Sequence, residues 1–96
     1  MSITYIGEFL AKIGEAENLK SFFKTTVMPA VKASEGNISC EILQELGNPN
    51  KFQIIEVWAS IELHRESIKN ISQEQIQCFM QLVAAPPKGN HFQVIG

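Results

Sequence analysis

Long apolar runs, a surplus of positive charge and clustered metal-binding residues are all missing from this chain, and each absence excludes a class of function. No stretch approaches the ~20 apolar residues of a membrane-spanning helix, and Met1-Ser2-Ile3-Thr4-Tyr5 lacks the basic segment and apolar run of a signal peptide. No membrane partner is expected, and a cytoplasmic location follows. Lys and Arg number 8 against 10 Asp and Glu, a net charge of -2, so no basic field collects phosphates and no nucleic-acid partner is expected. The 2 cysteines, Cys40 and Cys78, lie far apart in apolar-patterned segments and form no close-spaced metal motif. Both are expected to be buried small hydrophobes, since nothing basic flanks either thiol to lower its pKa. The 2 histidines, His64 and His91, supply no ligand cluster, so no metal site is expected.

What the chain does have is a globular composition, 45% hydrophobic and 19% charged over 96 residues. That suits one domain with one core, spanning residues 1–96. Ile3 to Leu10 is rich in β-branched and aromatic residues, with Ile3, Tyr5 and Phe9 on one face and Thr4, Ile6 and Leu10 on the other. From Glu15 the period changes. Ala16, Leu19, Phe23, Val27, Ala30 and Val31 recur at helical spacing up to Glu35-Gly36, where the glycine can end the helix in a left-handed conformation. Pro29 lies inside this helix and predicts a kink or two helical pieces.

Ile38 to Leu46 alternates again, with Ile38, Cys40, Ile42 and Leu46 on one face. Gly47-Asn48-Pro49-Asn50 makes a turn, and Phe52 to Ala59 returns as the most apolar strand, hence a central one. Ser60 can cap a helix that aligns Ile61, His64, Ile68 and Ile71, with Ser67 at the edge of the stripe. Ser72-Gln73-Glu74-Gln75 is a capping box for a further helix that turns Ile76, Phe79, Met80 and Val83 inward. Pro86-Pro87 stops it, and after a loop at Lys88-Gly89-Asn90 a last strand runs from His91 to Ile95.

Strand, helix, strand, strand, helical region, strand is the split βαβ pattern of ferredoxin-like α+β domains, with a four-stranded antiparallel sheet covered by helices on one face. The other face offers Ile6, Leu10, Leu43, Ile55 and Val57, too apolar a set to leave in water. A second copy of the chain, packed sheet to sheet, is the simplest cover, and a homodimer is expected.

Several segments carry a family resemblance: Glu35-Gly36-Asn37-Ile38-Ser39-Cys40-Glu41, Asn48-Pro49 in the hairpin, and Phe52-Gln53-Ile54-Ile55-Glu56-Val57-Trp58 before a capped helix. In this order the chain resembles the antibiotic biosynthesis monooxygenase (ABM) domain of the dimeric α+β barrel group. The resemblance implies a homodimer with its sheets back to back, and in each subunit a pocket between sheet and helices. It also implies chemistry without metal or flavin, in which a quinol or other hydroxylated aromatic is deprotonated and its anion reacts with dioxygen. Haem-degrading relatives carry an Asn on the first strand, a Trp on the third and a His on the following helix. Aligned through Gly14 and Trp58, Gly7 falls at the Asn position and Ser67 at the His position, so haem breakdown is not implied here, although His64 stands one turn earlier on the same helix face.

Each candidate site residue has two readings. Trp58 is a flat wall for stacking an aromatic substrate, or a core tryptophan. Glu56, on the same strand face, is a base with a raised pKa, or a carboxylate tied to a nearby donor. Gly7 would open space beside Trp58, and Tyr5 would orient a substrate oxygen or simply fill core. His64 points inward as a proton acceptor, or as a hydrogen-bonded core histidine. On the functional readings Glu56 or His64 is the base, and Trp58, Tyr5, Gly7 and Ser67 hold a small aromatic substrate. The other classes are a non-catalytic binder of small ligands and a dimerisation domain with a filled pocket.

Overall fold

A computed structural model describes all residues, 1–96. The elements are β1 (Ile3–Leu10), α1 (Ala16–Phe22), a π-helical turn (Phe23–Val27), α2 (Met28–Lys32), β2 (Asn37–Gln44), β3 (Lys51–Trp58), α3 (Ile61–Ser67), a 3-10 turn (Ile68–Asn70), α4 (Gln73–Leu82) and β4 (Lys88–Phe92). The sheet runs β2-β3-β1-β4 with every pairing antiparallel, which is the ferredoxin-like order, and β3 is central.

The first helical stretch is irregular for a local reason. Pro29 has no N–H to donate, and the ladder slips just before it, where Met28 N–H bonds the carbonyl of Phe23, five residues back. Proline then occupies the first turn of α2, where a missing donor costs little. The slip keeps Phe23, Val27 and Val31 on the buried face together with Leu19. Gly36 closes the connection to β2 at a φ of +86°, and a side chain there would also run into Leu63. α3 is capped by Ser60, whose Oγ accepts from Leu63 N–H at 3.2 Å. α4 begins with a complete capping box between Ser72 and Gln75.

Four features differ from the sequence pattern. A bulge between Asn37 and Ser39 turns Ile38 out to 61% exposure, and Leu46 falls beyond the end of β2 in solvent. β4 is Lys88–Phe92 rather than a strand starting at His91, because β1 pairs with it from Glu8 opposite Lys88 to Thr4 opposite Phe92. Cys78 is exposed, since the inward positions of α4 lead through Phe79 to the buried Val83 and leave Cys78 on another side of the helix. Cys40 is buried as expected.

The core forms where Leu19, Phe23, Val27 and Val31 meet Cys40, Phe52, Ile54 and Trp58 from the sheet, closed at one end by Ala11 and Val83. On the side without helices, Ile6, Ile55 and Val57 are half-buried while Leu10, Leu43 and Phe92 are exposed. No helix is long and apolar enough to cross a membrane.

Candidate active site

Strand register assembles the site. Cys40 pairs with Glu56, Glu56 with Tyr5, and Tyr5 with His91, so one row crosses all four strands on the helix-facing side. The neighbouring row pairs Ile54 with Gly7 and Gly7 with Gly89. The Tyr5 ring leans over those two glycines, and a side chain on Gly89 would occupy the place of its hydroxyl. α3 lowers His64 onto the row. Its ring centre lies 4.3 Å from that of Tyr5, 5.2 Å from that of Trp58 and 5.0 Å from that of His91.

Polar contacts connect these groups in a chain. Trp58 Nε1–H donates to Glu56 Oε1 at 2.8 Å. His64 Nε2 lies 3.6 Å from the same oxygen, and on the other edge of its ring Nδ1 is 2.8 Å from His91 Nε2. Ser67 Oγ–H donates to the His64 carbonyl and ties the end of α3. Glu56 is 5% exposed and His64 9%, so both must settle their charges inside the protein.

Burial pushes the Glu56 carboxyl above its usual range, and the Trp58 N–H opposes the rise by stabilising the carboxylate. His64 is lowered to about 4, first by burial and then by the positive charge that His91 and Arg65 can carry. It is therefore a neutral imidazole at pH 7. Tyr5 is raised by burial and by Glu56, and burial pushes the Cys40 thiol to about 11, so neither ionises readily. A neutral imidazole carries one N–H, so in the short contact with His91 one ring donates and the other accepts. When His64 Nδ1 donates, its Nε2 is a bare acceptor facing Glu56. When His91 donates, the N–H of His64 points at Glu56 instead.

A cavity of about 200 Å³ opens between sheet and helices. Tyr5, Glu56, His64 and Ser67 form its polar side, and Phe9, Phe22, Phe23 and Phe79 wall it with rings. Those rings pack on one another, Phe9 edge-on to Phe23 at 5.2 Å and Phe22 stacked on Phe79 at 5.9 Å. A larger hollow of about 530 Å³ lies among Glu8, Leu10, Leu43, Lys51, Gln53 and Lys88, and contains no histidine. No group of three or more His, Cys, Asp or Glu is placed to hold a metal ion.

Two positions do not stand where the sequence suggested. Trp58 is 0% exposed and contributes nothing to the cavity wall, because α3 follows it directly and covers the end of β3. It supports the site from behind through its bond to Glu56. Gly7 opens no space beside Trp58, since the Phe9 ring lies 3.0 Å and the Tyr5 ring 3.3 Å from where its Cβ would be. Sequence reasoning passed over His91 and Gly89, and the phenylalanine wall as well. The signal for the first pair was available: starting β4 at Lys88 places His91 opposite Tyr5.

Fold and site together define a ferredoxin-like α+β protein with a buried carboxyl-imidazole pair at one side of an aromatic cavity. The sequence profile described as antibiotic biosynthesis monooxygenase (ABM) matches residues 2–77, and the chain belongs to that family. Similar solved structures include a candidate antibiotic biosynthesis monooxygenase from Chloroflexus aurantiacus, 26% identical with a TM-score of 0.76, covering 100% of this chain and 96% of that one. SnoaB, a cofactor-independent oxygenase from Streptomyces nogalater, is 16% identical with a TM-score of 0.83, covering 99% and 94%. A candidate family member from Bordetella bronchiseptica is 18% identical with a TM-score of 0.82, covering 98% and 97%. No curated protein matches the sequence.

Proposed function

We propose that the chain is a monooxygenase that oxidises a single-ring quinol, or a similar hydroxylated aromatic, with dioxygen and without a metal or flavin. The observation that carries this is the Glu56–His64 pair, set 3.6 Å apart at the polar side of a cavity walled mainly by phenylalanine and aliphatic side chains. A dry apolar cavity of ~150 Å³ holds benzene, so about 200 Å³ accommodates one substituted ring.

The chemistry asked of the protein is modest. A neutral His64 takes the proton of a ring hydroxyl at Nε2, assisted by Glu56, while the Tyr5 hydroxyl orients the substrate oxygen. The phenolate, rich in electrons and shielded from water, then reacts with dioxygen. One oxygen atom ends on a ring carbon and the other leaves as water, so one quinol and one dioxygen give one hydroxyquinone and one water. SnoaB, similar in fold, is described as a cofactor-independent oxygenase, which accords with this route. Self-association through the outer sheet face, where Ile6, Ile55 and Val57 lie among exposed Leu10, Leu43 and Phe92, belongs to the same proposal.

Oxygen uptake with substituted hydroquinones and catechols, without added cofactor, tests the reading. One dioxygen consumed per single-ring quinol is expected. Saturable binding of these rings with no oxygen uptake would instead assign the cavity to a non-catalytic small-ligand binder.

A further inference from the structure

We infer that His91 is the proton exit of the site: His64 accepts a proton at Nε2 on the cavity side and releases one from Nδ1 to His91 Nε2, at the edge of the sheet. The inference rests on the acid-base chemistry proposed above, and adds a residue and a direction to it.

Glu56 and His64 are both buried and a bound ring fills the cavity they line, so a proton taken from it needs a second route to solvent. Only a group that touches the far edge of the His64 ring can continue the route, and His91 does so at 2.8 Å. His91 does not line the cavity and so has no part in holding substrate. It is half-exposed on β4, which pairs on one side only, and the antiparallel register with Tyr5 fixes its place. The groups facing His64 from the elements around it are Tyr5 from β1, Glu56 from β3 and His91 from β4, with Arg65 adjacent on α3. With a pKa lowered to about 4, His64 does not store the proton it receives.

In the outward step the substrate O–H bond breaks and His64 Nε2–H forms, while His64 Nδ1–H breaks and His91 Nε2–H forms. The electron pair stays on the phenolate oxygen, and His91 yields a proton to water. Turnover as proposed returns protons to the oxygen that departs as water, and the same path run inward restores the starting tautomers. His91 is thus a positioning and relay residue rather than a catalytic one.

The test compares wild type with His91→Gln, which keeps a hydrogen-bonding group of similar reach, and with His91→Ala. With methylhydroquinone as substrate, kcat should fall about tenfold or more in both variants while KM changes little. Added imidazole should restore kcat in His91→Ala. A kcat within about twofold of wild type in His91→Gln, or a loss in His91→Ala that imidazole does not repair, overturns the relay. A second readout needs no turnover: ¹⁵N NMR of the His64 ring should show its N–H exchanging with solvent about tenfold more slowly in His91→Gln. Unchanged exchange overturns the relay even if no quinol is oxidised. Slowed exchange in a protein that consumes no oxygen supports the relay and rejects the monooxygenase reading alone.

Discussion

At the scale of single residues, a carboxyl group on the inner face of an apolar sheet has to be explained. Leaving Glu56 charged and unpartnered there would cost several kcal/mol. The indole N–H of Trp58 meets that cost in part, and this is where the one tryptophan of the chain is spent. His64 settles its own problem by staying neutral, and the consequence is a pH dependence of known sign. Its pKa is about 4 in the fold against an ordinary 6.5, so between those values the unfolded chain binds more protons than the folded one. Stability on this account falls as pH falls from 6.5 to 4, by roughly 3 kcal/mol in total. Glu56 acts in the opposite sense, because a raised carboxyl pKa lets the folded state take up a proton more readily as pH drops. Wild type alone therefore shows a blunted slope. Urea unfolding of wild type and His64→Gln from pH 7 to 4 isolates the histidine: the stability of wild type relative to the variant should shrink across this window. A difference that does not change with pH would mean that the fold leaves the proton affinity of His64 at its unfolded value, against the lowered pKa.

At the scale of elements, β4 shows how close backbone approach builds the site. Gly89 pairs with Gly7, and the phenol of Tyr5 fills the space above both. Gly89→Ala must push that ring aside, which should cost about 1–3 kcal/mol and shift Tyr5 away from His64 and His91. Gly47→Ala is the matched control, since nothing lies within 4 Å of its added carbon. Thermal unfolding and the near-ultraviolet signal of Tyr5 would report both effects, and equal behaviour of the two variants would show that Tyr5 is not held in place by β4. The same strand marks the limit of what sequence shows. β1, β3 and both helix caps were legible, because alternation, Ser60 and the Ser72–Gln75 box are local signals. Lys88-Gly89-Asn90 has the composition of a loop, and only pairing with β1 makes it strand, a tertiary effect that overrides propensity. Losing those residues hid the partner of His64. Trp58 kept two readings for a different reason: parity placed it on the correct face, but parity does not tell which part of a face a helix will seal and which part will line a void.

At the scale of the whole molecule, the size of the cavity and the character of the outer sheet face decide what the protein can take up and how it assembles. A porphyrin is far wider than the single ring that about 200 Å³ accommodates. On the family resemblance Gly7 and Ser67 take the places of the Asn and His expected of haem-degrading relatives, so titration with haem should give no stoichiometric Soret band, and a reductant should cause no haem breakdown. The opposite side of the sheet poses a packing problem that one copy does not solve. Ile6, Ile55 and Val57 are half-covered while Leu10, Leu43 and Phe92 are exposed, so every strand contributes an apolar side chain to this face, beside a polar row of Gln53, Glu8 and Lys88. Two such faces packed together would bury the large, mainly apolar area typical of obligate dimers. Val57 lies on central β3, so Val57→Asp would place an unpaired charge in the middle of that contact on both subunits. Sedimentation equilibrium at micromolar concentration should show a dimer for wild type and a folded monomer for Val57→Asp. Glu62→Ala, at an exposed site on α3 on the opposite side of the sheet, should leave the dimer intact. The distinction also bears on the cavity, which lies on the other side of the sheet: a monomeric Val57→Asp that still binds single-ring ligands would show that each subunit carries a complete site. Wild type sedimenting as a monomer would leave the outer face without its proposed partner.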